Sequence, residues 1–482
     1  ARLLLASGSA ADRGEALHVF EEAVASAPPD SIVRAQLENE VGSLRSRSSF
    51  PRAPAMVAAP EPAEPERQPP VDFARLEREV ANAQSPGKRA RAQLAIARAH
   101  IDSGALAAAE TTLWEAFGDG SAEAGELLIS LIGRDKGRTA DRLKVCKRLV
   151  DLFPGHVDRL DALRAAAVAD RNPVYARALE HVLRSFDPGA GPLPPPSLVG
   201  QSEQPGMLSH LMRPSLDANL EPLSLTWEAA FPLFTKTPIA YAITGVERVA
   251  PGPSSAIAKL YDATLRLLGV PRLPLFYRRS PEPLAASVAL THPASALITG
   301  DGHEDSTELR HALGQSLTGA LPSHVLLLGL PEEQARTVWQ ALLASFGPAD
   351  GARGMDREAS RLAEQFWNTI PPRAQRKLKE LLGGASAQDF DVILAAARQS
   401  ARRVALFVSG DFGFAARKFL ADRKVDPEAA EGDGLRVLCA EHSPLADLFR
   451  LAVSVEYADA RCHPITPSSQ RHPSSGRARA VR

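Results

Sequence analysis

One internal echo constrains this chain more than any other feature. The stretch Arg91–Ser121 reads RAQLAIARAHIDSGALAAAETTLWEAFGDGS. Ala97 stands where two helices would cross, Gly104 falls in a turn, and Ala109, Leu113 and Ala116 recur at spacings of four and three on one helical face. Small residues at such positions let helix axes approach; larger ones would hold them apart. The pattern returns at Ala166, 69 residues after Ala97. There Asp170-Arg171-Asn172 supplies the turn, and Ala178 and Val182 follow. That distance is twice about 34.5 residues, so one further unit fits between, ending at Phe153-Pro154 with poorer small positions. Near the start, Ala16, Phe20, Ala23 and Pro28 match the second half of another unit.

This pattern resembles the tetratricopeptide repeat family over most of residues 1–30 and 90–188. The resemblance implies an α-helical solenoid whose concave surface takes a protein or peptide partner. No basic or asparagine clamp marks the first helices, so no binding residue is named; Ala97, Gly104, Ala109, Ala116, Ala166 and Ala178 are packing positions.

Prolines divide the rest. Residues 49–71 carry them every few positions and read as an extended linker, and residues 187–199 repeat the signal. His463–Arg482 holds Pro, Ser and Arg without an acid, and is expected to be a disordered basic tail. The expected order is a partial helical repeat at 1–48, a linker at 49–71, repeats at 72–186, a linker at 187–199, a larger domain at 200–462 and a tail at 463–482. A helical pattern is already running at Ala1, so the N-terminus is expected to be incomplete, and the missing signal peptide says little about location. A cytoplasmic location is the expectation.

The 482 residues carry 56 basic and 57 acidic side chains, which excludes a globally basic nucleic-acid binder. The longest apolar run, Val392–Ala397, is far short of the roughly 18–20 residues of a membrane helix. Cys146, Cys439 and Cys462 are odd in number and without a C-x-x-C, which disfavours a disulfide framework or a cysteine zinc site. Abundant Ala, and Arg far in excess of Lys, suggest a GC-rich bacterial genome.

The larger domain has an informative order of elements. A helix ends at Leu267-Leu268, and extended runs follow at Leu273–Arg278, Ala285–Leu290 and Ala296–Thr299. Gly300-Asp301-Gly302 makes a turn, and Ser306-Thr307-Glu308-Leu309 reads as the start of a helix. This order resembles bacterial gluzincin peptidases of the HtpX-like type over about 210–440, implying a zincin-like α+β domain. There the next helix carries H-E-x-x-H, two histidines on one face for zinc and a glutamate as general base. Here Leu313-Gly314 leads into Gln315, Ser316 and Gly319 at the first-ligand, base and second-ligand positions. The third ligand, a glutamate in that family, falls on Arg398, and the following Asp position on Arg402. None of these can bind zinc or act as the base. The resemblance thus implies a pseudo-metallopeptidase with neither metal nor cofactor, and the expected function is a non-catalytic interaction or scaffold protein. Its cleft could still hold an extended peptide along a strand edge.

Rival sites are weaker. A zinc-dependent hydrolase could use His303, Glu304, His311, His324 or His442, the last beside Glu441 and Cys439, but a solvated loop histidine is the better explanation of His303, and nothing supplies a second cluster beside His442. Ser409-Gly410 lacks the preceding glycine of a G-x-S-x-G elbow. Neither a phosphate-binding G-x-x-x-x-G-K-[ST] loop nor a dinucleotide-binding glycine pattern occurs. Pro371–Lys379 is a short basic cluster read as a solvated helix face. A third reading has the second half merely capping the repeats.

Overall fold

The computed structural model describes residues 72–135, 137–187, 189, 211–212, 220–250, 255–301, 304–348, 356–386, 389–426 and 431–462. The partial repeat at 1–48, the linkers apart from Asp187 and Gly189, the basic tail and His303 lie outside them. The compact unit containing the described residues begins at Asp72. It is mostly helical, with a small mixed sheet of four strands.

Seven helices come first: α1 (Phe73–Ala81), α2 (Pro86–Asp102), α3 (Leu106–Gly118), α4 (Ala122–Ile132), α5 (Thr139–Leu152), α6 (Val157–Ala169) and α7 (Pro173–Arg184). Each packs on the next. Helices α2, α4 and α6 begin at Pro86, Ala122 and Val157, intervals of 36 and 35 residues. Local chemistry sets these starts. Ser85 caps α2 through Lys88 N–H, with Pro86 in the first turn, and Asn172 caps α7 through Tyr175 N–H ahead of Pro173. Gly104 turns the chain between α2 and α3 at φ +78. Ala97, Ala109, Ala116, Ala166 and Ala178 are all buried. In the middle pair Gly125 takes the small role: a Cβ there would come within 2.7 Å of the Phe117 ring and 2.9 Å of Leu149.

The second segment follows with α8 (Glu221–Ala230), β1 (Glu247–Arg248), α9 (Ala256–Leu268), β2 (Leu275–Arg278), β3 (Ala285–Ala289) and β4 (Ser295–Thr299). Next come α10 (Thr307–Leu317), α11 (Val325–Leu328), α12 (Glu332–Phe346), α13 (Arg357–Thr369) and α14 (Pro372–Leu382). The chain then forms α15 (Asp389–Ser409), α16 (Phe412–Asp422), α17 (Gly432–Glu441), α18 (Ser443–Ala452) and α19 (Val455–Cys462). The sheet runs β1-β2-β4-β3; β2 and β4 are parallel, and β3 is an edge strand antiparallel to β4. Ser306 caps α10 through Leu309 N–H.

Helices α10 and α15 cross closely because Gly314 has no side chain: a Cβ there would stand 2.8 Å from Ala405 Cα and 2.9 Å from Val404 O. Beyond α15, the fully buried Arg461 of α19 donates to Phe407 O at 2.7 Å and Val408 O at 3.3 Å, satisfying carbonyls of the last turn.

The two segments share a core. Buried residues of α5–α7 belong to one cluster with those of α9, the sheet, α10 and α15–α19. Tyr175 Oη donates to Val453 O at 2.8 Å, and Phe186 packs against Phe412 and Phe449 with ring centres 6.0 and 6.1 Å apart. Gly155, at φ +86, lets the turn before α6 press on α17; a Cβ there would lie 2.6 Å from Arg436 O.

Candidate functional site

A cleft of about 710 Å³ lies beside edge strand β3, which lines it with Ala285–Val288. Helix α10 packs against both β3 and α15, which is why residues more than eighty positions apart meet here. From α10 and the turn after it come His311, Gln315, Ser316 and Gly319; from α15 come Arg398, Ala401 and Arg402. All five positions singled out from the degenerate motif, Gln315, Ser316, Gly319, Arg398 and Arg402, therefore line one cavity. Helix α16 adds Lys418 and Asp422, and Glu308 stands at the start of α10.

The chemistry at those positions is not that of a metal site. Ser316 donates its hydroxyl to Ala286 O, on the cleft side of β3. Gln315 is exposed. Arg398 points its guanidinium at Glu332, bonding Oε2 at 2.7 Å. Together with Arg336 it holds the Glu332 carboxyl below its usual range. Lys418 pairs with Glu308 at 3.3 Å.

Arg402 differs from the other cations. It is half-buried and lies over the Phe419 ring, 5.0 Å from its centre. Its one side-chain hydrogen bond among the described residues is to Gln399 Oε1, at 3.4 Å. No carboxylate of those residues reaches ion-pair distance. Burial, then repulsion by Arg423, pulls its guanidinium below the usual range; Asp422 opposes and Arg398 adds to the shift. Arg423 shares the same phenyl ring, 4.8 Å from its centre.

The candidate histidines are dispersed. His311 packs edge-on against Phe414 with ring centres 5.4 Å apart, and burial, helped by Lys418, pulls its pKa down to about 4. His324 is buried among apolar side chains; its Nδ1 lies 2.8 Å from Ser323 Oγ, and its Nε2 has no hydrogen-bond partner among the described residues. Burial alone takes it to about 4. His442 sits at the junction of α17 and α18 near Phe419. Burial pushes the Cys439 thiol up to about 12 and Cys146 up to about 11, so both are inert at neutral pH. Among the described residues no group of three His, Cys, Asp or Glu side chains could hold a metal ion. Ser409 is fully buried, its hydroxyl turned back on Leu406 O, which does not suit a nucleophile.

Sequence reading missed the Ser316–Ala286 tie and the Arg398–Glu332 pair. The second spans 66 residues and has no local signal. Glu332 in the first turn of α12 gave no clue, since an acid there needs no cation partner to be explained.

The chain matches no family model, no curated protein and no solved structure. Among the described residues no helix is long and apolar enough to cross a membrane.

Proposed function

We propose that this chain is a non-catalytic interaction protein. The helix pairs α2–α7 form a tetratricopeptide-like array offered to a partner protein. The second segment is a zincin-like domain whose cleft holds an extended peptide without cleaving it. The observation carrying this reading is the convergence of Gln315, Ser316, Gly319, Arg398 and Arg402 on one cleft beside an edge strand. In a gluzincin those places would hold two zinc-binding histidines, the base, the third ligand and its neighbouring acid. Here no one of them offers a carboxylate or imidazole. A general base must accept a proton, and Ser316 instead spends its own on a backbone carbonyl. Edge strand β3 retains the ladder geometry by which an extended peptide is held through main-chain hydrogen bonds.

The test is elemental analysis of the purified full chain after dialysis against zinc, with a casein-digestion assay alongside. Zinc well below one per chain and no hydrolysis are expected. Stoichiometric zinc, or cleavage abolished by a chelator, would overturn the non-catalytic reading. The cleft's capacity to hold peptide is read separately, by binding.

A further inference from the structure

The cleft's charges are not balanced evenly. Lys418 has Glu308 and Arg398 has Glu332, each within ion-pair distance. Arg402 has none among the described residues; Arg423 and Arg398 repel it, Asp422 attracts it, and Lys418 lines the same cavity. A half-buried guanidinium facing a cavity without a carboxylate partner is costly unless something supplies one. Its guanidinium carbon lies 5.0 Å from the centre of the Phe419 ring, which is itself buried. An incoming carboxylate would thus meet a planar fork of N–H donors stacked near an aromatic ring.

The other half of the site is β3. Antiparallel pairing to β4 uses one edge of the strand, and its other edge has no strand partner among the described residues. The Ser316 hydroxyl reaches Ala286 O, so Ala286 presents its carbonyl to the cleft. By the two-residue alternation of a strand, Val288 presents its backbone the same way. Both residues line the cavity that Arg402 also lines.

We propose that the cleft selects an extended peptide bearing an acidic side chain, its backbone on the outer edge of β3 and its carboxylate on Arg402. This rests on the peptide-holding reading above and names the ligand chemistry of that site. The Ser316 hydroxyl occupies a carbonyl that a bound strand would use, so it competes with the ligand and contributes nothing to the charge selection.

The experiment uses the full chain and fluorescein-labelled octapeptides of alternating Val and Thr, with amidated C-termini. One glutamate is walked through the positions, with glutamine counterparts, and binding is read by fluorescence anisotropy. At one position the glutamate peptide should bind about tenfold or more tighter than its glutamine counterpart, the scale of a charge-assisted hydrogen bond. Arg402→Met, which keeps an apolar contact with Phe419, should abolish that preference, so that the glutamate peptide binds no tighter than its glutamine counterpart. Arg402→Lys should retain part of it. Ser316→Ala should leave the preference intact and bind both peptides at least as well. Far-ultraviolet circular dichroism establishes that each variant is folded, and Arg402→Lys serves if Arg402→Met is not. Equal binding of glutamate and glutamine peptides at every position would overturn the proposal while sparing the peptide-holding cleft. A gain seen only with free-acid C-termini would also overturn it, since the carboxylate would then be the chain end. Failure of all peptides to bind would refute the cleft reading itself.

Discussion

Acidification should destabilise this fold through His324 in a way that can be isolated from every other group. The side chain is buried among apolar residues, its Nε2 has no hydrogen-bond partner among the described residues, and burial alone lowers its pKa from 6.5 to about 4. The unfolded chain restores the higher value, so below pH 6.5 the unfolded state binds a proton that the folded state refuses. Stability is therefore full above pH 6.5 and falls progressively as pH drops toward 4. At pH 4 protonation favours the unfolded state by a factor of ~300 and the folded state by ~2. The ratio is worth ~3 kcal/mol, comparable to a large part of a domain's net stability. The assay is urea denaturation of wild type and His324→Leu at pH 7 and at pH 4. Carboxylates and other histidines titrate in the same interval, but they titrate in both proteins and cancel. The loss of stability between the two pH values should be ~3 kcal/mol smaller in the variant. The complementary reading is the titration of the His324 ring proton by NMR. A folded-state pKa near 6.5, or an equal pH-dependent loss in both proteins, would refute the burial argument.

Three further outcomes follow from the packing. Gly314→Ala places a Cβ 2.8–2.9 Å from backbone atoms of α15, which can yield only by moving the helix. Overpacking of ~1–3 kcal/mol should outweigh the ~1 kcal/mol that alanine adds to helix propensity, and the thermal midpoint should fall. Gly125→Ala meets only ring and methyl ends, which can turn aside, so its thermal midpoint should move less than that of Gly314→Ala. Tyr175→Phe strands the buried Val453 carbonyl between α7 and α19; denaturant titration should register a loss of about 1–3 kcal/mol.

Much of the local architecture was readable from residue pattern because it depends on neighbours in the chain. Ser85, Asn172 and Ser306 each cap a helix through a backbone N–H three residues on. Ala97, Ala109, Ala116, Ala166 and Ala178 are buried because each stands on the inward face of its own helix. The proline-rich composition at residues 187–199 suggests a division there, but the core that α5–α7 share with the later elements was not legible. Tyr175 finds Val453 across 278 positions, a pairing that no periodicity encodes.

The sequence by itself determined that Gln315, Ser316, Gly319, Arg398 and Arg402 carry no imidazole or carboxylate, since side-chain chemistry needs no coordinates. Only the tertiary structure decided that these residues share a cavity with an edge strand, because that follows from how closely α10 can cross α15 at Gly314. It alone decided that Ser316 turns to Ala286 and Arg398 to Glu332, while Arg402 stays on Phe419 without an ion-pair partner among the described residues. The physical reason is one of range. Caps and helical faces are set by bonds and packing within a turn or two of the chain. A charge's partner is set by which groups the packed core brings within a few ångströms, whatever their separation in sequence.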